Sequence, residues 1–368
     1  MNAYMGISNY QLNHHFRPKK GWMNDPNGLV YFQGYYHIFF QYSPNYEWAK
    51  GPMVWGHART KDFLIWEELP IALHADCAYD ENGCWSGTAI VKDGVLYLFY
   101  ASLIADNTQR ISVAYSRDGI HFEKHADNPV IRECPIPHLI DFRDPAVVEK
   151  DGKYYLAVAS GDRERQQAYL FYYESENLLD WSYCGILKSW HERVYCECPS
   201  MQMMGDALLL ATSVVYKDGK THEFFLATGR MENGEFIQEL EGRPQLGPDC
   251  YAGQIFTDAR GRNILLSWLP GWEYMGFAER SLGCLSLPME ITCQDGKLNV
   301  YPVEEVRHVL KDCDENVVVD ENGFTIHRTE KPDVVFRGVI HDLKILRDNY
   351  IIEIFINHGE YVVAAVLC

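Results

Sequence analysis

Three carboxylates stand in short segments whose neighbours suit chemistry on a polyol. Asp25 lies in Trp22-Met-Asn-Asp-Pro-Asn-Gly28, Asp144 in Phe142-Arg-Asp-Pro145 and Glu197 in Cys196-Glu-Cys-Pro199. Carboxylates are rarely buried without a partner, so three in such settings call for a use. Two of them flanking a glycosidic bond supply a nucleophile or base and a general acid. Held close together, like charges push one pKa upward and leave a protonated acid near neutral pH. A third can hold sugar hydroxyls as the ring flattens toward an oxocarbenium ion. Two other uses compete: an Asp-Pro segment makes a good turn, and oxygen ligands on a shared axis can hold calcium. The aromatic and amide neighbours favour a sugar over an ion.

Such segments need a scaffold that brings them together, and the chain contains a repeat. A turn glycine followed by a strongly apolar strand occurs five times, at Gly34, Gly94, Gly152, Gly205 and Gly261, at intervals of 53 to 60 residues. A second repeat runs between them as Thr60-Lys-Asp-Phe-Leu-Ile-Trp66, Ser116-Arg-Asp-Gly-Ile-His-Phe122 and Ser175-Glu-Asn-Leu-Leu-Asp-Trp181, with a weaker copy at Met231-Glu-Asn-Gly-Glu-Phe236. Each unit reads as four antiparallel strands, the grammar of a propeller blade. The expected fold is therefore all-β, a five-bladed β-propeller in which the first strand of each blade lines the axial channel. Counting back eight or nine residues from the turn glycines reaches Asp25, Ser86, Asp144, Glu197 and Gly253. The three acids are thus expected at nearly one height in a single funnel. Trp66 and Trp181, which open fourth strands, are assigned to packing.

After Pro302 the pattern changes. A polar, partly helix-like stretch over 303–314 precedes strands expected at 324–328, 334–340, 350–356 and 361–367. The expected division is a propeller over 1–302 and a small, reduced β-sandwich-like domain over 303–368. A segment this short buries only a modest core and should rest on the propeller.

Composition narrows the function classes. With 33 Lys+Arg against 51 Asp+Glu the formal charge is −18, which leaves no cationic stripe for nucleic acid or an anionic membrane. Hydrophobic residues at 47% and charged residues at 23% are ordinary for a globular chain, whereas 14% aromatic, with 24 Tyr and 9 Trp, suits strands and flat platforms for sugar rings. No apolar run approaches the ~18 residues of a membrane span, and Met1 to Lys20 does not read as a signal peptide. Eleven cysteines without metal-type spacing, the close pair Cys196 and Cys198 included, read as reduced thiols in a cytoplasmic protein without a structural metal.

The motifs, in this order, resemble glycoside hydrolase family 32, the invertase, β-fructofuranosidase and fructanase family. The resemblance spans about residues 13–302 and includes Gln41, Trp55-Gly-His-Ala58, Ser86-Gly87 and Tyr251-Ala-Gly-Gln254. It implies a retaining enzyme without metal or cofactor, acting on sucrose, sucrose 6-phosphate or short fructo-oligosaccharides. Asp25 would be the nucleophile at the anomeric carbon of a β-linked fructofuranosyl unit, and Glu197 the acid/base. Asp144 would stabilise the transition state, with Arg143 beside it. Asn24, Gln41, Trp48, Trp55, Trp85, Ser86, Arg143 and Tyr251 become candidates for the sugar pocket. Two features depart from the family pattern. Arg280-Ser-Leu-Gly-Cys-Leu-Ser-Leu-Pro288 lacks the tryptophan usual before the late Leu-Pro, and the C-terminal sandwich is short. Competing readings are a fructosyltransferase, an inverting arabinanase or xylosidase on a related propeller, and a non-catalytic sugar-binding propeller. A monomer or homodimer with a small saccharide as its partner fits all four.

Overall fold

The computed structural model describes residues 12–45, 51–139, 141–219, 221–242, 244, 247–269, 283–329 and 331–367. Five antiparallel sheets follow one another along the chain. Blade 1 comprises strands Trp22–Phe32, Tyr35–Ser43, Val54–Thr60 and Trp66–Leu73, and blade 2 comprises Gly83–Lys92, Val95–Leu103, Gln109–Ser116 and Glu123–Lys124. Blade 3 is built from Asp141–Lys150, Lys153–Asp162, Gln167–Ser175 and Ser182–His191. Blade 4 runs through Arg193–Met204, Ala207–Tyr216, His222–Glu232 and Glu235–Gly242. Blade 5 holds Tyr251–Thr257, Asn263–Leu269, Met289–Gln294 and Lys297–Pro302, with Cys284–Leu285 as a short extra partner of its second strand. Each first strand packs against the first strand of the next blade, and the fifth packs against the first. The ring is closed.

Hydrophobicity falls from axis to rim for a packing reason. The second strand of a blade is covered on both faces by its neighbours, so Tyr35–Ser43 and Ala207–Tyr216 are buried along nearly their whole length. The fourth strand of blade 1 is half-buried or exposed until its last two residues. The repeated Gly-plus-apolar pattern marks these second strands. The other repeat is a self-capped turn between third and fourth strands. The Thr60 hydroxyl accepts the Phe63 N–H, and the Asp62 carboxylate accepts the Leu64 and Ile65 N–H groups. Ser116 with Asp118, and Ser175 with Asn177, make the same bonds in blades 2 and 3. Such side chains replace the missing backbone partners of a turn. The weaker copy in blade 4 is instead a two-residue Asn233-Gly234 hairpin.

The C-terminal part is a small sandwich of two three-stranded sheets. One holds Val317–Asp320, Gly323–Ile326 and Val334–Arg337, the other Leu343–Asp348, Ile351–Ile356 and Tyr361–Val366. Phe324, Ile326 and Phe336 face Ile345, Ile352, Ile354, Ile356 and Val363 between the sheets. Ile351, Phe355, Val362 and Ala364 point the other way, onto Leu298, Val300, Val303 and Val306 at the edge of blade 5. The strand Ile351–Ile356 is therefore buried on both faces, which is why its sequence is apolar throughout. Two strands, Val317–Asp320 and Leu343–Asp348, are not expected from sequence, and the helix-like stretch is one 3-10 segment, Glu304–Val309.

Buried polar links fasten the sandwich to the ring. Asp348 accepts the backbone N–H groups of Asn13, His14 and His15, and the His15 ring spans Asp348 and Glu353 at 2.8 Å each. Glu353 also accepts the Leu287 N–H beside blade 5, and Arg328 pairs with Asp249 at 2.9 Å. No helix among the described residues is long and apolar enough to cross a membrane.

Candidate active site

Every first strand carries an irregularity at the same level, where its ladder with the second strand slips. The slips fall at Asn24-Asp25, Ser86, Asp144-Pro145, Cys198-Pro199 and Ala252-Gly253. Bulges re-aim side chains, and Asp144, Cys198 and Ala252 adopt positive φ there, at 55°, 50° and 53°. The Asp-Pro and Cys-Pro sequences fit because proline has no N–H to give to the ladder. Trp85, Arg143, Glu197 and Tyr251 are the last paired residues before the slips.

This corrects the expected register. Glu197 is the counterpart of Arg143, not of Asp144. Counting from the glycines misleads because they occupy different positions in their turns. In blade 3 the turn is Asp151-Gly152, with the glycine second, and in blade 4 it is Gly205-Asp206, with the glycine first. The one-residue difference alternates the face along a strand, and the bulge restores convergence on the axis.

A cavity of about 630 Å³ opens at this level, lined by Asn24, Asp25, Gln41, Trp85, Ser86, Arg143, Asp144, Glu197 and Tyr251 among others. Asp25 accepts the Ser86 hydroxyl at 2.7 Å and the Asn24 amide at 3.1 Å, and the Cys198 thiol lies 3.4 Å away. Asp144 accepts the Cys198 N–H at 2.9 Å. Arg143 donates to Glu197 at 2.8 Å and to Asp141 at 2.5 Å, and lies 4.0 Å from Asp144. The Tyr251 hydroxyl donates to the other Glu197 oxygen. Burial pushes that phenol well above its ordinary range, so it keeps its proton as the donor. Burial likewise raises Asp25 and Asp144, the neighbouring carboxylates adding to the effect, while Arg143 pulls Asp144 the other way. The Cys198 thiol is also raised, by burial and then by both aspartates, and stays neutral between them.

Not every expected pocket residue reaches the cavity. Trp55 is fully buried behind it, packed on Phe39 and Tyr100, and its indole N–H donates to the Trp85 carbonyl at 3.0 Å. It backs the wall rather than forming it. Trp48 lies outside the described residues, as do residues 280–282 of the departing segment. Trp66 and Trp181 pack against Phe16 and Phe99.

Lining residues missed from sequence include Met53, Gln109, Asp141, Arg163, Tyr195 and His222. Period two along a strand was available for Asp141, two before Arg143, and for Tyr195, two before Glu197. Arg163 and His222 come from other strands and loops and carry no local signal. Among the described residues the acid and thiol cluster Asp76, Cys77 and Asp80 has metal-like spacing. The Lys124 ammonium already bridges Asp76 at 2.6 Å and Asp80 at 2.5 Å and fills that role.

Two buried acids, Asp25 and Asp144, and a half-buried one, Glu197, thus come from three blades to one axial cavity of a closed five-bladed propeller. The glycosyl hydrolases family 32 N-terminal domain matches residues 15–302, and the chain belongs to that family. A sucrose-6-phosphate hydrolase of Zymomonas mobilis subsp. mobilis is 34% identical over 318 residues, 79% of this chain and 62% of that protein. A raffinose invertase of Escherichia coli is 34% identical over 323 residues, 81% of this chain and 66% of its own. The chain thus spans somewhat less than two thirds of the length of these relatives. Its fold matches a Bombyx mori GH32 β-fructofuranosidase with a TM-score of 0.83 at 23% identity, covering 97% of this chain and 89% of that one. It also matches a sucrose-6-phosphate hydrolase from Lactobacillus gasseri with a TM-score of 0.82 at 23% identity, covering 99% and 90%.

Proposed function

We propose that the protein is a retaining glycoside hydrolase that releases β-linked fructofuranosyl units from sucrose, sucrose 6-phosphate or short fructo-oligosaccharides. The observation that carries this reading is the convergence of Asp25, Asp144 and Glu197, from three blades, on one cavity in a family 32 chain. Asp25 acts as nucleophile. Its oxygens are held by Ser86 and Asn24, which fixes the carboxylate for attack on the anomeric carbon. Glu197 protonates the leaving-group oxygen and then activates water, and Tyr251 and Arg143 hold its two oxygens in place. Asp144 binds ring hydroxyls of the flattening sugar. Trp85 and Gln41 complete the fructosyl pocket.

The same reading takes residues 1–302 as the catalytic unit and 303–368 as a supporting unit. It sets the enzyme in the cytoplasm as a monomer or homodimer, in keeping with the free state of every described cysteine. Chromatography of the products from sucrose, sucrose 6-phosphate, 1-kestose and inulin tests the activity, and NMR of the first-formed fructose tests the stereochemistry. Release of fructose with β configuration is expected. First-formed α-fructose would exclude the retaining mechanism.

A further inference from the structure

Two cations line the cavity among the described residues, and they are placed very differently. Arg143 is buried, and its guanidinium is taken up by Asp141, Glu197 and Gln109. Arg163 stands on the turn that follows the second strand of blade 3, on the same end of the blade as Asp141. Its side chain is 52% exposed. Its Nε donates to Asp141 at 3.3 Å, and its guanidinium lies over the Tyr195 ring at 4.4 Å. The two terminal amino groups have no acceptor among the described residues. Stacking and one hydrogen bond thus hold a planar cation at the mouth, with a two-pronged donor edge left over. This is the geometry that reads a phosphate or carboxylate bidentately.

The position of this cation relative to the acids matters. Tyr195 and Glu197 are two apart on one strand, both line the cavity, and two residues advance a strand by about 7 Å. From Glu197, where a leaving group would be protonated, the wall therefore runs outward through Tyr195 to Arg163. We propose that Tyr195 and Arg163 form the leaving-group side of the cavity, and that Arg163 selects substrates whose departing hexose carries a phosphate. This rests on the assignment of Glu197 as acid/base. Asp141 does not repel such a group strongly, because its two oxygens are answered by Arg143 and by Arg163 itself.

The test measures kcat/KM for sucrose and sucrose 6-phosphate in the wild type, Arg163→Ala and Arg163→Lys. Calorimetry of glucose and glucose 6-phosphate binding to the same proteins runs alongside. The wild type should prefer the phosphorylated member of each pair. Arg163→Ala should lower that preference by about 10–100-fold, chiefly through KM, and Arg163→Lys should recover part of it as a point charge. Equal loss on both substrates, or an unchanged ratio, overturns the proposal. The calorimetry separates it from the reading it rests on. Selective binding of glucose 6-phosphate that Arg163→Ala abolishes would uphold Arg163 even in a protein that cleaves no fructoside. Cleavage of fructosides with an unaltered phosphate preference in Arg163→Ala would remove Arg163 and leave the activity standing.

Discussion

In the proposed role of nucleophile, Asp25 faces opposed demands. It has to be ionised, yet burial raises its pKa and so does the charge of Glu197. The Ser86 hydroxyl, the Asn24 amide and the Cys198 thiol donate to the carboxylate and work in the opposite direction. The acid limb of kcat/KM should therefore lie above the ordinary carboxylate range, because the reactive form exists only above the raised pKa. Ser86→Ala removes a donor that favours the ionised form, so the limb should move to higher pH. A pH–rate profile of the variant checks this, and a shift toward lower pH would contradict it. At this scale the sequence is informative where a motif surrounds the residue. Motifs single out Asp25, Asp144, Glu197, Asn24, Gln41, Trp85 and Tyr251, and all of them meet at the cavity. Trp55 departs from its expected place because a motif does not distinguish a side chain in the wall from one behind it. Arg163 and His222 escape a reading of the sequence because only tertiary contact brings them there.

The five bulges are the elements that matter most for the site, and they follow from small residues and prolines at defined points. Gly87 closes the bulge of blade 2, directly after Ser86. A Cβ built on it would lie 1.9 Å from the Phe99 carbonyl oxygen and 2.8 Å from the Tyr100 Cα. Both are backbone atoms and cannot step aside as a side chain could. Gly87→Ala should destabilise the protein by about 1–3 kcal/mol and lower kcat by displacing Ser86, with denaturant melts and steady-state kinetics as the readouts. A variant with wild-type stability would show that the strands do not approach so closely. The blades themselves are legible because two repeats in phase report on strands covered from both sides and on self-capped turns. Register is not legible. The residues around a turn glycine do not reveal whether it leads or follows in the turn, yet the two cases shift the strand by one residue and exchange its faces.

At the scale of the whole molecule, the N-terminal segment straps the sandwich to the ring. His15 is buried between Asp348 and Glu353, and although burial alone would lower its pKa, its two acidic partners raise it from 6.5 to about 9. A pKa raised in the fold stabilises it fully below the unfolded value of 6.5, and the contribution fades as pH climbs through about 9. Asp348 is depressed, despite its burial, by His15 and the N–H groups it accepts, so its contribution is lost instead as pH falls below the ordinary carboxylate range. The melting temperature should therefore drop between pH 7 and 9.5, and His15→Gln should be less stable at pH 7 with a flatter curve over that interval. A wild-type curve that is flat there would contradict the clamp. What the whole fold accomplishes is the meeting of three acids from three blades, and the roles of those acids are the central claim. The most direct test is Glu197→Ala assayed on β-fructosyl fluoride and on sucrose, with and without azide. Fluoride needs little protonation to leave, so the first step should survive on the fluoride and collapse on sucrose. Azide should then restore turnover by releasing fructosyl azide with retained configuration. Equal loss on both substrates with no response to azide would show that Glu197 is not the acid/base.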